Sequence, residues 1–381
     1  MKNKGKVGIG IIGCGQRIKD LFSVYPELLN IAKIIGVYDI NPVASQSYLD
    51  LYGKDIKIYK DYKELLKNKE IKWVFIGSIN SVHSEHIIES LNHNKHVFCE
   101  KPLSIKIEDC GNIRRSLKGK NLNFFIGYVL RYAPLYRKIK EIVDKGEIGK
   151  IISLEFNETI PFNHGAFIMS GWRRYTESSG GFLIEKCCHD IDIVNWIVGD
   201  IPDKVVSFGG LNFFIEKNSH IYDDITKKED VVFNKIKVKE NPFSLDKDIV
   251  DNQTAIIEYR NKVRASFHTN CNSAIPERRI YVCGEKGTIR ADLLNGKIEL
   301  GFINNRNDVQ IFHMKDKEEH GGGDRHFMKE IEDAMLNKNF LKNYIDEAVI
   351  SSAVCIALDD SMYSRKIVEM EPIWKYLEII K

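Results

Sequence analysis

The stretch Val97-Phe98-Cys99-Glu100-Lys101-Pro102-Leu103 is an apolar strand that ends abruptly in a carboxylate, an amine and a proline. Placed there, Lys101 can donate or accept a proton beside whatever the strand end faces. It can equally be a solvated turn lysine, as most of the 56 lysines and arginines must be. The residues on either side decide between the two.

Upstream, strands alternate with helices. Val7 to Ile12 is a short apolar run that delivers the chain into Gly13-Cys14-Gly15-Gln16-Arg17, and a helix follows through Leu21 to Leu29. Glycines between a strand and a helix let the backbone approach a pyrophosphate, whose charge the N–H groups of the helix start stabilise. The spacing departs from GxGxxG because Ile18 stands where a third glycine would be, and a tight turn without a ligand is the plain alternative. The next strand, Ala32 to Tyr38, ends in Asp39. That carboxylate is placed to accept hydrogen bonds from an adenosine ribose or to cap the helix that Pro42 opens. No arginine follows Asp39 within several residues, so a 2′-phosphate would meet an uncompensated carboxylate, and NAD is favoured with NADP as the alternative. Helix Val43 to Leu51, strand Ile56 to Tyr59, helix Tyr62 to Leu66, strand Trp73 to Ile76 and helix Glu85 to Leu91 lead back to the strand at His96. This alternation predicts a Rossmann-like, doubly wound parallel sheet, with Ser78, Asn80, His83 and the Glu100-Lys101 pair gathered at the crevice beyond the strand ends.

From Phe124 the pattern changes. One more strand leads through Tyr128 and Arg131-Tyr132 to a helix around Tyr136 to Val143, and Gly146 to Gly149 turns the chain into a new apolar run, Ile151 to Phe156. Paired strands follow: Gln253 to Tyr259 with Val263 to Thr269, then Arg279 to Cys283 with Thr288 to Asp292. Hairpins of this kind predict an α+β domain with a large, mostly antiparallel sheet, dividing the α/β chain into residues 1–127 and 128–381. A long amphipathic helix, Glu347 to Lys366, packs back on the first part. The half-apolar strands carrying Ile256, Ile257, Val263, Ala265 and Phe267 leave a sheet face needing cover, which points to an oligomer interface.

Between these strands, Leu183, Ile184, Cys187, Cys188, Ile191, Val194 and Ile197 suit a buried helix that stops at Gly199. Glu185 and His189 are four apart and share a face, where the carboxylate orients the imidazole, and Asp192 lies three further on; a structural ion pair is the alternative. Leu211 to Val250 is charged and aperiodic and reads as a solvated insertion without chemistry. His320-Gly321-Gly322-Gly323-Asp324 precedes the helix Phe327 to Leu336. Either Asp324 caps that helix or the loop closes His320 over a ligand.

Composition removes several classes. With 56 basic against 53 acidic residues, the chain lacks the basic excess of a nucleic-acid binder. No run is long enough to span a membrane, and the apolar strand after the basic Met1 to Lys6 is too short for a secretory signal. The eight cysteines are scattered without a CxxC pair, which fits free thiols in a reducing cytoplasm and no metal site. Cys187-Cys188-His189 is no exception, since adjacent helical residues point apart.

The combination resembles the Gfo/Idh/MocA family, the glucose-fructose oxidoreductase and inositol dehydrogenase relatives. The likeness rests on Gly13 to Gly15, Asn80 and His83, Glu100-Lys101-Pro102, Arg131-Tyr132, Trp172-Arg173, Gly180-Gly181 and Glu185 to Asp192. It implies an NAD(P)-dependent oxidoreductase acting on a secondary hydroxyl of a sugar, cyclitol or related polyol. Lys101 would hydrogen-bond the reacting hydroxyl and His189 would shuttle its proton. Tyr128, Arg131, Trp172, Arg173, Asp192 and His320 would face the substrate. In relatives the peptide before the proline is often cis, Asp commonly stands where this chain has Glu185, and such sheets pair face to face, which implies a homodimer or homotetramer. Burial and a second cation are expected to lower the pKa of Lys101. Two alternatives are a redox-neutral, NAD-retaining enzyme that cleaves or isomerises a glycoside through a keto-sugar, and a non-catalytic NAD- or sugar-binding sensor. Intact Lys101 and His189 count against the sensor.

Overall fold

β1 (Val7–Ile12) lies at the middle of a six-stranded sheet of order β3-β2-β1-β4-β5-β6, completed by β2 (Ala32–Tyr38), β3 (Lys57–Ile58), β4 (Ile71–Ile76), β5 (His96–Cys99) and β6 (Phe124–Ile126). Every pairing in it is parallel. The computed structural model describes residues 5–314, 316, 318–337 and 341–380, so most of the basic start lies outside the described residues. The central strands are continuous apolar runs because helices cover both faces, as a parallel sheet requires. One of those covers comes from far along the chain: Phe327, Met328 and Ile331 of the helix Gly323–Leu336 join the core that holds Ile9, Ile11, Phe75 and Phe98. Strand order reverses between β1 and β4, and the crevice beyond their carboxyl ends is where such sheets bind ligands.

The second sheet has nine strands: β7 (Ile151–Pro161), β8 (Pro202–Gly210), β11 (Asn252–Tyr259), β12 (Arg264–Ser273), β13 (Arg279–Gly284), β14 (Gly287–Asp292), β15 (Lys297–Phe302), β16 (Asn305–His313) and β17 (Val368–Glu369), in the order β16-β15-β14-β13-β7-β12-β11-β8-β17. Only β7 and β12 pair in parallel; the other ladders are antiparallel, as the hairpin pattern predicts. A separate hairpin, β9 (Val232–Phe233) with β10 (Ile236–Lys237), stands apart. The late helix runs Ile345–Ser364 and differs from the amphipathic expectation. Ala348, Val349, Ser351, Ser352, Val354, Cys355 and Leu358 are all buried, so apolar and small residues surround most of its axis. It is wedged between the two halves: Ser207 Oγ donates to the Leu358 carbonyl at 2.8 Å, and Arg114 Nε reaches Asp346 Oδ1 at 2.7 Å. Among the described residues, no helix is long and apolar enough to cross a membrane.

Candidate active site

A cleft of about 790 Å³ runs from Gly13 and Asp39 past Lys101 to His189, His320 and Phe233. At one end it is made of backbone. Gly13 adopts φ +88°, and a Cβ there would sit 2.3 Å from the Ser78 nitrogen, so no larger residue fits the turn. Gly15 opens directly on the cleft, the nearest heavy atom to its virtual Cβ being 3.8 Å away, and the helix Gln16–Val24 starts there without a side-chain cap. Helix-start N–H groups without a side-chain cap, beside an open glycine, are groups that could hold an anion such as a pyrophosphate. Ile18 does not disturb it. Its side chain is buried against Gly77, where a Cβ would meet Ile18 Cγ1 at 2.6 Å. The room that a third glycine would give the helix is thus provided from β4's side.

The side chains at this end are held by backbone groups and by one another. Asp39 accepts the Cys14 and Asn41 N–H groups at 2.7 Å each and also lines the cleft. Helix Pro42–Tyr52 is capped by Asn41, whose Oδ1 accepts from the Val43 nitrogen at 3.0 Å, so the cap expected of Asp39 falls to its neighbour. Gln16 lines the cleft while its amide donates to Asp20. Arg17 joins three elements, reaching Glu100 Oε1 at 3.0 Å and Asp324 at 2.9 and 2.6 Å. Asp324 therefore serves Arg17 and His320 Nδ1, at 3.1 Å, and the helix start at Gly322 has no side-chain cap. Ser78 Oγ lies 3.0 Å from His86 Nδ1, and Asn80 donates to the Ser179 carbonyl at 2.8 Å, tying the two halves together. The buried His83 ring spans the carbonyls of Pro102 (2.8 Å) and Ser78 (3.1 Å), and the Lys101–Pro102 peptide is cis.

The other end is made of side chains. Lys101 Nζ donates to the Glu185 backbone carbonyl and lies 3.5 Å from Glu185 Oε2, while Arg173 Nε holds Glu185 Oε1 at 2.8 Å. Burial pushes the Lys101 ammonium down, but Glu185 and then Cys188 and Glu100 more than offset it, so its pKa is raised and the expected lowering does not occur. His189 behaves oppositely. Burial first, then the charges of Lys101 and His320, hold it well below its ordinary value, as a neutral imidazole. Its Nδ1 is buried without a hydrogen-bond partner among the described residues, and the His320 ring is 5.4 Å away. Among the described residues no hydrogen bond joins Glu185 to His189, contrary to the expectation from their spacing. Leu183–Cys187 forms a π turn before the α-helix Cys188–Val198, and the wider turn breaks the i,i+4 register on which that expectation rested.

Three residues expected near the substrate do not line the cleft. Arg131 and Asp192 form a two-pronged pair at 2.6 and 2.7 Å, and Asp192 also accepts from Ser351. Tyr128 is buried with its hydroxyl 3.4 Å from Ser352. Burial between packed helices uses up their polar groups. Trp172, Arg173, His189 and His320 do line the cleft, joined by residues the sequence reading passed over: His164, Phe167, Lys186, Phe233, Asn234 and Ile236. The last three belong to the 211–250 segment, which is no solvated insertion; Phe214, Tyr222, Val231, Val238, Phe243 and Ile249 anchor it in the core. Beneath the site, Glu158, Cys187 and Asp190 approach within 4.8 Å of one another. Lys186 and Arg278 already neutralise that cluster, at 2.9 Å and 3.1 Å from Glu158, with Arg278 also bound twice to Asp190. All eight cysteines are free.

A glycine turn at a helix start and a lysine–imidazole pair in one cleft are the arrangement expected of an NAD-binding oxidoreductase. The chain belongs to the Gfo/Idh/MocA oxidoreductase family: the model of its NAD-binding Rossmann fold matches residues 7–128, and that of its C-terminal alpha/beta domain matches residues 140–370. Among curated relatives, the oxidoreductase-named YteT of Bacillus subtilis is 24% identical over 98% of this chain and 97% of its own length. An inositol 2-dehydrogenase of Salmonella typhimurium is 30% identical over 51% of this chain and 54% of its own. A 2,7-anhydro-N-acetylneuraminate hydratase of Mediterraneibacter gnavus is 25% identical over 75% and 67%. Of solved structures, a levoglucosan dehydrogenase complexed with NADH and levoglucosan superposes with a TM-score of 0.77 at 17% identity, covering 96% of this chain and all of that one, which shows the shared fold.

Proposed function

We propose that the protein oxidises a secondary hydroxyl of a sugar, cyclitol or related polyol with NAD. The observation that carries this reading is the convergence of Lys101 and His189 in the same cleft as the Gly13 cradle. Bound NAD supplies the hydride acceptor, C4 of its nicotinamide. The neutral His189 imidazole removes the hydroxyl proton, and the Lys101 ammonium, kept charged by Glu185, stabilises the developing alkoxide. In the reverse direction the same two groups return the proton. Asp39, with no arginine within several residues after it, supports NAD over NADP.

A second reading draws support from the hydratase among the relatives: a redox-neutral cycle that retains NAD and transforms a glycoside or anhydro-sugar. A screen of sugars, polyols and glycosides, following NADH absorbance and product mass together, separates the two. NADH rising in step with substrate loss supports the dehydrogenase; full conversion under substoichiometric NAD without net NADH replaces it by the redox-neutral cycle.

Of the strand residues expected to need cover, Ile257, Val263, Ala265 and Phe267 are buried within the chain, while Ile256 is exposed on the other face of the sheet with Phe208 and Tyr281. We assign this face to pairing with a second copy of the chain, and a monomeric mass by light scattering at micromolar concentration would contradict it.

A further inference from the structure

We propose that the β9–β10 hairpin builds a subsite for a second ring on the substrate, a glycosyl or aryl group attached to the reacting sugar; this rests on the sugar-oxidoreductase reading above. A free two-stranded hairpin is marginal in water. This one is fixed from several sides. Asn234 and Lys235, at φ 50° and 65°, form the two-residue left-handed turn that matches strand twist. At the base, Val238 N bonds the Val231 carbonyl at 2.9 Å, and the Tyr222 hydroxyl donates to the Val238 carbonyl at 2.8 Å. On the flank, Asn163 donates to the Val232 carbonyl at 2.9 Å, and the His164 ring stacks on Phe233 with centroids 3.8 Å apart.

So anchored, the hairpin turns Phe233, Asn234 and Ile236 toward the cleft. None of the three carries charge. An aromatic face, an amide and an aliphatic side chain suit the C–H face and hydroxyls of a pyranose, or an aryl ring. The wall continues to the reacting pole without a break. Phe167 lies 5.1 Å from Phe233, the Arg173 guanidinium sits 4.6 Å from Phe167 and 4.3 Å from Trp172, and Arg173 holds Glu185 beside Lys101. Arg173 and Phe167 thus stand between Glu185 and Phe233 along this wall, and the second ring is assigned to the Phe233 end of it.

The test compares D-glucose and D-galactose with their p-nitrophenyl glycosides and with cellobiose and lactose, in wild type, Phe233→Ala and Ile236→Ser. Substrate loss, product mass and NAD affinity by calorimetry are followed in parallel. Loss of one stacked aromatic contact should lower kcat/KM for the two-ring compounds by about tenfold while free sugars stay within about twofold and NAD affinity is unchanged. Equal losses for one-ring and two-ring compounds, or weakened NAD binding, would overturn the subsite. If nothing turns over, titration of p-nitrophenyl glycosides into NAD-loaded protein still reads it. Binding that Phe233→Ala abolishes supports the subsite even where the oxidoreductase reading fails, and no binding by wild type sinks it. Ile236→Ser supplies the same comparison if Phe233→Ala does not fold.

Discussion

The two ends of the cleft grip by different means. At the end proposed for the cofactor the lining is backbone: Gly13 in a left-handed turn, Gly15 open to the cleft, and the uncapped start of the helix Gln16–Val24. Its charged side chains are engaged within the protein, Asp39 with two backbone N–H groups and Arg17 with Glu100 and Asp324. At the reacting end the surface is side chain. Lys101 comes from the end of β5, Arg173 from a short 3₁₀ turn, Glu185 and His189 from one bent helix, and His320 from a left-handed loop. A backbone grip tolerates changes of side-chain chemistry but not an added Cβ, whereas a side-chain grip has the opposite sensitivity.

The largest expected effects lie at the reacting end. Lys101→Ala and His189→Ala should each lower turnover by about two orders of magnitude or more, with NAD affinity nearly unchanged, because in the proposed mechanism the groups act on the proton and not on the pyrophosphate. Wild-type turnover in either variant, measured on the true substrate, would remove that residue from the chemistry and erase the contrast. Gly13→Ala should do the reverse. With φ +88° and backbone 2.3 Å from the new carbon, the turn must shift. NAD affinity should fall by at least about tenfold, with a lower melting temperature, since strain of this kind costs about 1–3 kcal/mol. Unimpaired calorimetric binding of NAD would show that the turn is not the cradle.

A subtler change tests whether any side chain matters at the cofactor end. Asp39→Ala should weaken NAD by about tenfold, as loss of a charge-assisted hydrogen bond does, and weaken NADP much less. Equal loss for both cofactors would mean that Asp39 only braces Cys14 and Asn41.

The same contrast explains what could be read from sequence. Backbone sites leave local marks: a strand, glycines and a helix start within a dozen residues make the Gly13 turn visible, and period-two runs with short turns reveal the antiparallel sheet. Ile18 was a puzzle because its compensation, Gly77, is distant in sequence and adjacent only in the fold. Side-chain sites leave weaker marks. Lys101 and His189 stood out through a strand end and a helix, but the partners of Glu185 depend on a π turn that residue spacing does not signal. Arg131 and Asp192 look functional in sequence and pair with each other in the structure. The cleft-lining hairpin was invisible because two-residue strands carry no periodicity, and the lysines around it resemble any solvated loop.

The smallest effect concerns how Glu185 serves Lys101. Lys101 has two contacts to this residue, the backbone carbonyl and the carboxylate, and only the second depends on the side chain. Glu185→Asp keeps the charge and the carbonyl while shortening the reach, so turnover should fall by only about threefold, the scale of one weakened hydrogen bond. Glu185→Gln removes the charge and should leave a different trace. Burial already disfavours the Lys101 ammonium, and Glu185 is the main influence raising its pKa. Without that carboxylate the ammonium loses its proton at lower pH, so the alkaline limb of the pH–rate profile should move down while the acid limb, set by His189, moves little. An alkaline limb unmoved in Glu185→Gln would show that Lys101 does not depend on Glu185 for its charge; a shift of the acid limb instead would restore the link from Glu185 to His189 that the π turn argues against.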